Sequence, residues 1–132
     1  MRRNLDAYRN YVCPECFQQL NKCECDYFPP YSLLFIDVNI QDQIRNLNKK
    51  GYRTSGCCEG HFQSYSVEPY VTFIKDYHFN KMPDGFSYKK SKNGVIAKTI
   101  RTKDKEEYDT LKRELLNNLS EWVEELPENN CR

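Results

Sequence analysis

Apolar side chains at Ile36, Ile40, Ile44 and Leu47 recur at intervals of three and four, the spacing that gathers them on one helical face. Asp37 or Asn39 stands where an N-cap belongs, and Gly51 stands where a left-handed residue would end the helix. The ten residues that follow, YRTSGCCEGH, predict a short strand running into a glycine-containing loop. Residues 70–75 are rich in β-branched and aromatic side chains and predict a second strand. A Pro-Asp-Gly turn then opens the segment FSYKK, Asn93-Gly94 is a hairpin signal, and VIAKTIRT is the returning strand. The tail is strongly amphipathic. Tyr108, Leu111, Leu115, Leu119, Trp122, Val123 and Leu126 fall on one face of a long helix, with Thr102 or Asp104 to cap it and Pro127 to end it.

This order of helix, strand, strand, hairpin and helix predicts an α+β domain, with a small antiparallel sheet of about four strands and two helices packed on one face. Pro29 and Pro30 break any helix and form a short rigid link. They place a boundary between an N-terminal lobe, 1–30, and the α+β domain, 31–132.

The lobe is defined by its cysteines. Cys13, Cys16, Cys23 and Cys25 form a Cys-x2-Cys and a Cys-x-Cys pair separated by six residues, the length of a tight hairpin. The N-terminus has no apolar signal region and no run approaches a membrane span, which predicts an intracellular, cytoplasmic protein whose thiols stay reduced. Metal ligation is then favoured over disulfides. Four thiolates satisfy a tetrahedral Zn(II) at about 2.3 Å, and such a closed sphere is structural rather than catalytic. The expected cofactor is therefore one structural zinc holding a lobe too small to fold alone.

Net charge is a formal +1 over 132 residues, which argues neither for nucleic-acid mimicry nor for a polybasic binder. The balance hides a polarity along the chain. Lys89, Lys90, Lys92, Lys98, Arg101, Lys103 and Lys105 face a single acid, Asp104, whereas the terminal helix is rich in glutamate. A basic β-ribbon flanked by tyrosines can neutralise phosphates. Lysines also keep an exposed hairpin soluble and protect its edge.

The second chemical constellation is TSGCCEGHF, residues 54–62. Thr54, Ser55, Gly56, Gly60 and His61 could cradle an anion on backbone amides. Cys58 with His61, and Glu59 between them, could form an activated thiolate. Cys57 and Cys58 could equally be small buried residues at a strand end, with His61 on the surface. A second metal site here would need Cys131 or His78 to arrive from elsewhere.

The segment YRTSGCCEGH resembles the motif after the first helix of the wybutosine-synthesis N-methyltransferase family, Tyr-x-Thr-Thr-Ser-Ser-Cys-Ser-Gly-Arg. Tyr52, Thr54, Cys58 and Gly60 match in position and Ser55 is conservative, while Glu59 replaces a serine and His61 an arginine. The similar stretch spans 39–62, and the same arrangement resembles uncharacterised small zinc-knuckle proteins of Firmicute bacteria and their phages. The resemblance implies a shared supersecondary unit and not a methyltransferase.

Three functions follow as expectations. The first is a non-enzymatic, zinc-stabilised module that binds nucleic acid, a nucleotide or a nucleoprotein through the basic hairpin (Lys89, Lys90, Lys92, Lys98, Arg101) and the SGCCEGH loop. The second is a phage or mobile-element inhibitor, anti-CRISPR-like, that meets a host or defence enzyme by protein contact in the host cytoplasm. The third is a small enzyme acting on RNA or a nucleotide through Cys58, Glu59 and His61. No complete triad, phosphate-binding Walker loop or methyl-donor motif supports the third.

Overall fold

The computed structural model describes residues 10–14, 16–19, 34–62 and 68–129. The elements run β1 (Tyr11–Val12), β2 (Leu34–Phe35), α1 (Gln41–Lys49), β3 (Thr54–Cys58), β4 (Tyr70–Phe73), β5 (Phe86–Lys89), β6 (Gly94–Ala97) and α2 (Lys105–Glu125). This is an α+β fold with two helices. A four-stranded antiparallel sheet has the order β3-β4-β6-β5, and β1 and β2 form a separate antiparallel pair.

Strand alternation decides which side of the larger sheet is buried. Val71 and Phe73 of β4, Val95 and Ala97 of β6 and Phe86 of β5 enter one core cluster with Ile40, Ile44 and Leu47 of the first helical segment and Tyr108, Leu115, Leu116, Leu119, Trp122 and Val123 of α2. The intervening residues Tyr70, Thr72 and Ile96 are half-buried, and Ser87 is exposed. Val12 of β1 is fully buried in the same cluster. Phe79 sits at the centre of an aromatic group, 4.9 Å from Trp122, 5.1 Å from Phe73 and 5.3 Å from Tyr52 between ring centroids. The Trp122 indole N–H donates to the Lys81 carbonyl at 2.7 Å, so a buried polar group is satisfied. No helix of the described residues is long and apolar enough to cross a membrane.

The helix ends differ from expectation in an informative way. α1 begins at Gln41, after a 3-10 turn over Val38–Ile40, and the buried Ile36 lies before both, just after β2. Neither Asp37 nor Asn39 caps the helix. The side chains of both reach across to the segment after β3. Gly51 has φ +94° and fills the left-handed position after the helix, and a Cβ there would collide with the Asn129 carbonyl. Asn93-Gly94 also acts differently from a two-residue turn. Residues 90–92 form a 3-10 turn, Asn93 alone is left-handed at φ 48°, and Gly94 is already in β6 opposite Lys89.

The Asp104 side chain caps α2 by accepting from the Glu106 N–H at 2.9 Å, and Glu106 and Glu107 occupy its first turn. Its last turn carries no basic residue of its own. The cation comes from the end of α1: Lys50 Nζ donates to the carbonyls of Val123, Glu124 and Leu126 at 2.7–2.8 Å. Lys50→Met keeps the aliphatic stem and removes the ammonium. It is expected to destabilise the fold by about 2 kcal/mol and to raise amide exchange in the last turn of α2, measured by chemical denaturation and hydrogen exchange.

Candidate metal centre and basic end

β3 ends in two adjacent cysteines, and alternation sends them to opposite faces. Cys57 lies opposite Val71 and packs against the core, where burial, helped by the nearby Asp37 and Cys58 charges, pushes its thiol up to about 12. Cys58 turns the other way, toward Asp37. Gly60, at φ +94°, then reverses the chain and returns His61 to the same place. One Asp37 oxygen, Oδ2, accepts from the Glu59 N–H at 3.1 Å and lies 3.2 Å from His61 Nε2. The Gly60 N–H points at Cys58 Sγ at 3.4 Å, and Asp37 lies close enough to raise that thiol. One ligand atom from each of Asp37, Cys58 and His61 lies within 4.8 Å of the others, so this group could hold a metal ion.

The loop that carries Cys58 and His61 is braced from behind. Glu59 is buried, and its carboxylate is held by three donors outside the cluster. It accepts from the Asn39 N–H at 3.2 Å, from Asn39 Nδ2 at 2.8 Å and from Lys112 Nζ on α2 at 2.6 Å. Burial alone would raise the Glu59 carboxyl. The Lys112 and Asn39 hydrogen bonds and the Lys112 charge outweigh burial and hold it below the ordinary glutamate value. Ring contact between Phe62 and Tyr108, 5.4 Å apart, adds an apolar tie between the same loop and α2.

This environment bears on each chemistry expected of TSGCCEGHF. Burial, followed by the Asp37 charge and hydrogen bond, pushes the Cys58 thiol up despite the opposing Gly60 N–H, the reverse of what an activated thiolate needs. The amides of Glu59 and Gly60, which would line an anion cradle, are already directed at Asp37 and Cys58. Thr54 is engaged with the Asn48 side chain through both its N–H and its hydroxyl, and the Ser55 hydroxyl meets that of Thr72 at 2.9 Å. Gly56 pairs opposite Thr72 within the sheet.

The sheet register separates two groups of residues that the sequence suggested as one surface. The row Gly56–Thr72–Gly94–Lys89 borders the turn bearing Lys90 and Lys92. The row Cys58–Tyr70–Ile96–Ser87 borders the opposite end, where the His61 loop, Lys98 and Arg101 follow. Three further exposed cations join the turn end: Lys49, Arg53 and Lys75 line an open cavity of about 500 Å³ with Tyr77 and Glu128. The Lys75 ammonium lies 5.2 Å from the Tyr77 ring centroid, and the Lys90 charge helps lower the pKa of Asp76, the residue between Lys75 and Tyr77. Spacing does not mark Lys49, Arg53 and Lys75 as a group, because Lys75 follows β4 whereas the other two lie at the end of α1 and just before β3.

Of the four N-terminal cysteines, Cys13 is buried and Cys16 half-buried on a tight turn. The Phe17 N–H donates to the Cys13 carbonyl at 2.8 Å, the Cys13 N–H donates to the Gln18 carbonyl at 3.0 Å, and Phe17 is left-handed at φ 60°. Cys23, Cys25 and Cys131 lie outside the described residues.

Fold and site thus define an α+β protein with a mixed aspartate, cysteine and histidine cluster capable of holding a metal. No protein-family model, curated protein or solved structure matches the chain.

The Glu59–Lys112 pair generates a stability prediction. Because the Glu59 carboxyl is lowered on folding, its contribution is complete above the ordinary glutamate value, about 4.3, and is lost as pH falls through the lower folded value. Glu59→Gln should be less stable than the parent at pH 7 and lose less on acidification. Lys112→Met leaves a buried carboxylate unpaired and should cost about 3 kcal/mol at pH 7. Thermal denaturation of the three proteins at pH 7 and pH 3 checks both.

Proposed function

We propose that the protein is a small metal-stabilised binding module whose basic end engages the phosphates of a nucleic acid. The observation that carries this is the convergence of Lys49, Arg53 and Lys75 with the turn lysines Lys90 and Lys92 at one end of the sheet. Edge protection accounts for lysines on a hairpin. It does not account for cations at the end of α1, before β3 and after β4 gathering at the same place. Tyr77 and the exposed Ile74 offer an aromatic ring and an apolar surface beside them, as a base or sugar requires. The structural zinc in this proposal is held by Cys13, Cys16, Cys23 and Cys25. The tight turn that carries Cys13 and Cys16 supports it, since a Cys-x2-Cys turn presents two thiolates to one ion.

Binding to single- and double-stranded oligonucleotides should weaken with salt. On duplex DNA the log–log slope falls by about 0.9 for each phosphate contact. Arg53→Ala with Lys75→Ala, and separately Lys90→Ala with Lys92→Ala, should each reduce that slope while circular dichroism stays unchanged. Lys98→Ala with Arg101→Ala, at the other end of the sheet, should leave it unaltered. Absence of binding at low salt, or a flat salt dependence, overturns the nucleic-acid proposal in favour of contact with a protein.

A further inference from the structure

We infer that Asp37, Cys58 and His61 form a second metal centre for a borderline-soft divalent cation of the zinc type, with three protein ligands and an open fourth position. This inference stands apart from the basic end and from the four N-terminal cysteines.

The donor set comes first. Thiolate, imidazole and carboxylate are the three groups that bind Zn(II), at about 2.3, 2.0 and 2.0–2.2 Å. Ligand atoms on a tetrahedron of that size stand about 3.3–3.6 Å apart. Asp37 Oδ2 and His61 Nε2 are 3.2 Å apart, and all three ligand atoms lie within 4.8 Å of one another. Small side-chain rotations therefore close the set on an ion.

The surroundings hold the ligands in place as an outer shell does. Asp37 Oδ2 accepts from the Glu59 N–H, which orients the carboxylate. The Gly60 N–H points at the Cys58 sulfur, a contact that favours thiolate. Glu59, between the two loop ligands, is anchored to Asn39 and Lys112. The pairing of Asp37 with His61 could by itself be a surface ion pair, and Cys58 a small buried residue. An ion pair of that kind needs neither a third ligand atom within 4.8 Å nor a braced loop beside it. On binding, the Cys58 S–H bond breaks, the sulfur–metal bond forms and one proton leaves to solvent.

The fourth position follows from exposure. The Cys58 side of the cluster is buried, whereas the His61 side chain is 43% exposed. Three protein ligands with access from one side leave room for water or a small anion, the arrangement of reactive rather than purely structural zinc.

The test uses the full chain, whose two histidines, His61 and His78, make imidazole NMR easy to assign. Titration of zinc into metal-free protein should shift the His61 ring nitrogens to metal-bound values and leave those of His78 in place. Elemental analysis of zinc-loaded protein should fall by one equivalent in Cys58→Ser and in His61→Ala. It should fall separately by one in Cys13→Ser with Cys16→Ser if the N-terminal cysteines hold their own ion. In the cobalt-substituted Cys13→Ser/Cys16→Ser protein, azide should shift the visible d–d bands, and unchanged bands would overturn the open position. His61 resonances that ignore one equivalent of zinc, together with parental zinc content in both loop variants, would overturn the site. Should a variant fail to fold, the histidine titration on the unmodified chain decides alone. Loss of oligonucleotide binding with His61 still metal-bound would sink the basic-end proposal and leave this one standing.

Discussion

The contact between Glu59 and Lys112 ties together three separate parts of the chain. Glu59 follows an edge strand, Lys112 lies on the terminal helix, and Asn39 sits in the turn that leads into α1. Two charges taken from water are costly, and they persist only where geometry and further hydrogen bonds compensate. Here the lysine hydrogen bond is short, and Asn39 donates twice, from backbone and side chain. The pair therefore positions the loop between β3 and the following segment, and with it Cys58 and His61. It also draws Asn39, and so its neighbour Asp37, toward the same loop. The brace thus supports the cluster of Asp37, Cys58 and His61 from behind, beside the cluster's own contacts.

A second tie works at the other end of the molecule. Lys50 supplies the C-terminal cation that α2 lacks, the Tyr52 hydroxyl donates to the Pro127 carbonyl at 2.7 Å, and Asn129 hydrogen-bonds both Lys50 and Gly51. The long helix is thus fastened at two points, by Lys112 near the cluster and by its C-terminus near the basic cavity. Between them its apolar face covers the sheet. The sheet keeps the two ends apart, because β3 and β6 both run from the basic end toward the cluster end.

Much of the fold was legible because periodicity and local conformational preference agreed. The apolar stripe of α2, its Asp104 cap, the left-handed Gly51 and the strands around Val71 and Val95 all emerge from residue type and spacing. Leu116 escaped the stripe because it is one position off the ideal face, yet a helix lying across a sheet buries a wider arc than a narrow seam. The start of α1 was misread for a different reason. Asp and Asn before an apolar periodic run are cap residues on local grounds, but here both side chains serve tertiary contacts twenty or more residues away. Ile36 joined the helical pattern only because a residue outside the helix can be buried as well as one within it.

The candidate site was half legible for the same reason. Cys58, Glu59 and His61 stand together in the sequence, and the glycines beside them announce a loop. Their partners do not. A carboxylate that meets a loop across the start of a helix, and a lysine on an amphipathic helix among many charged neighbours, carry no local mark of their roles. Glu59 shows the limit most clearly: its place between cysteine and histidine suggests part of an activated-thiolate centre, whereas its carboxylate is paired with Lys112. What Glu59 contributes to the cluster is its backbone N–H, given to Asp37, a group that every residue but proline possesses. The side chain fixes where that amide lies, and the amide orients the ligand. Sequence motifs record side chains, so a site organised through a backbone donor is visible only once the chain is folded.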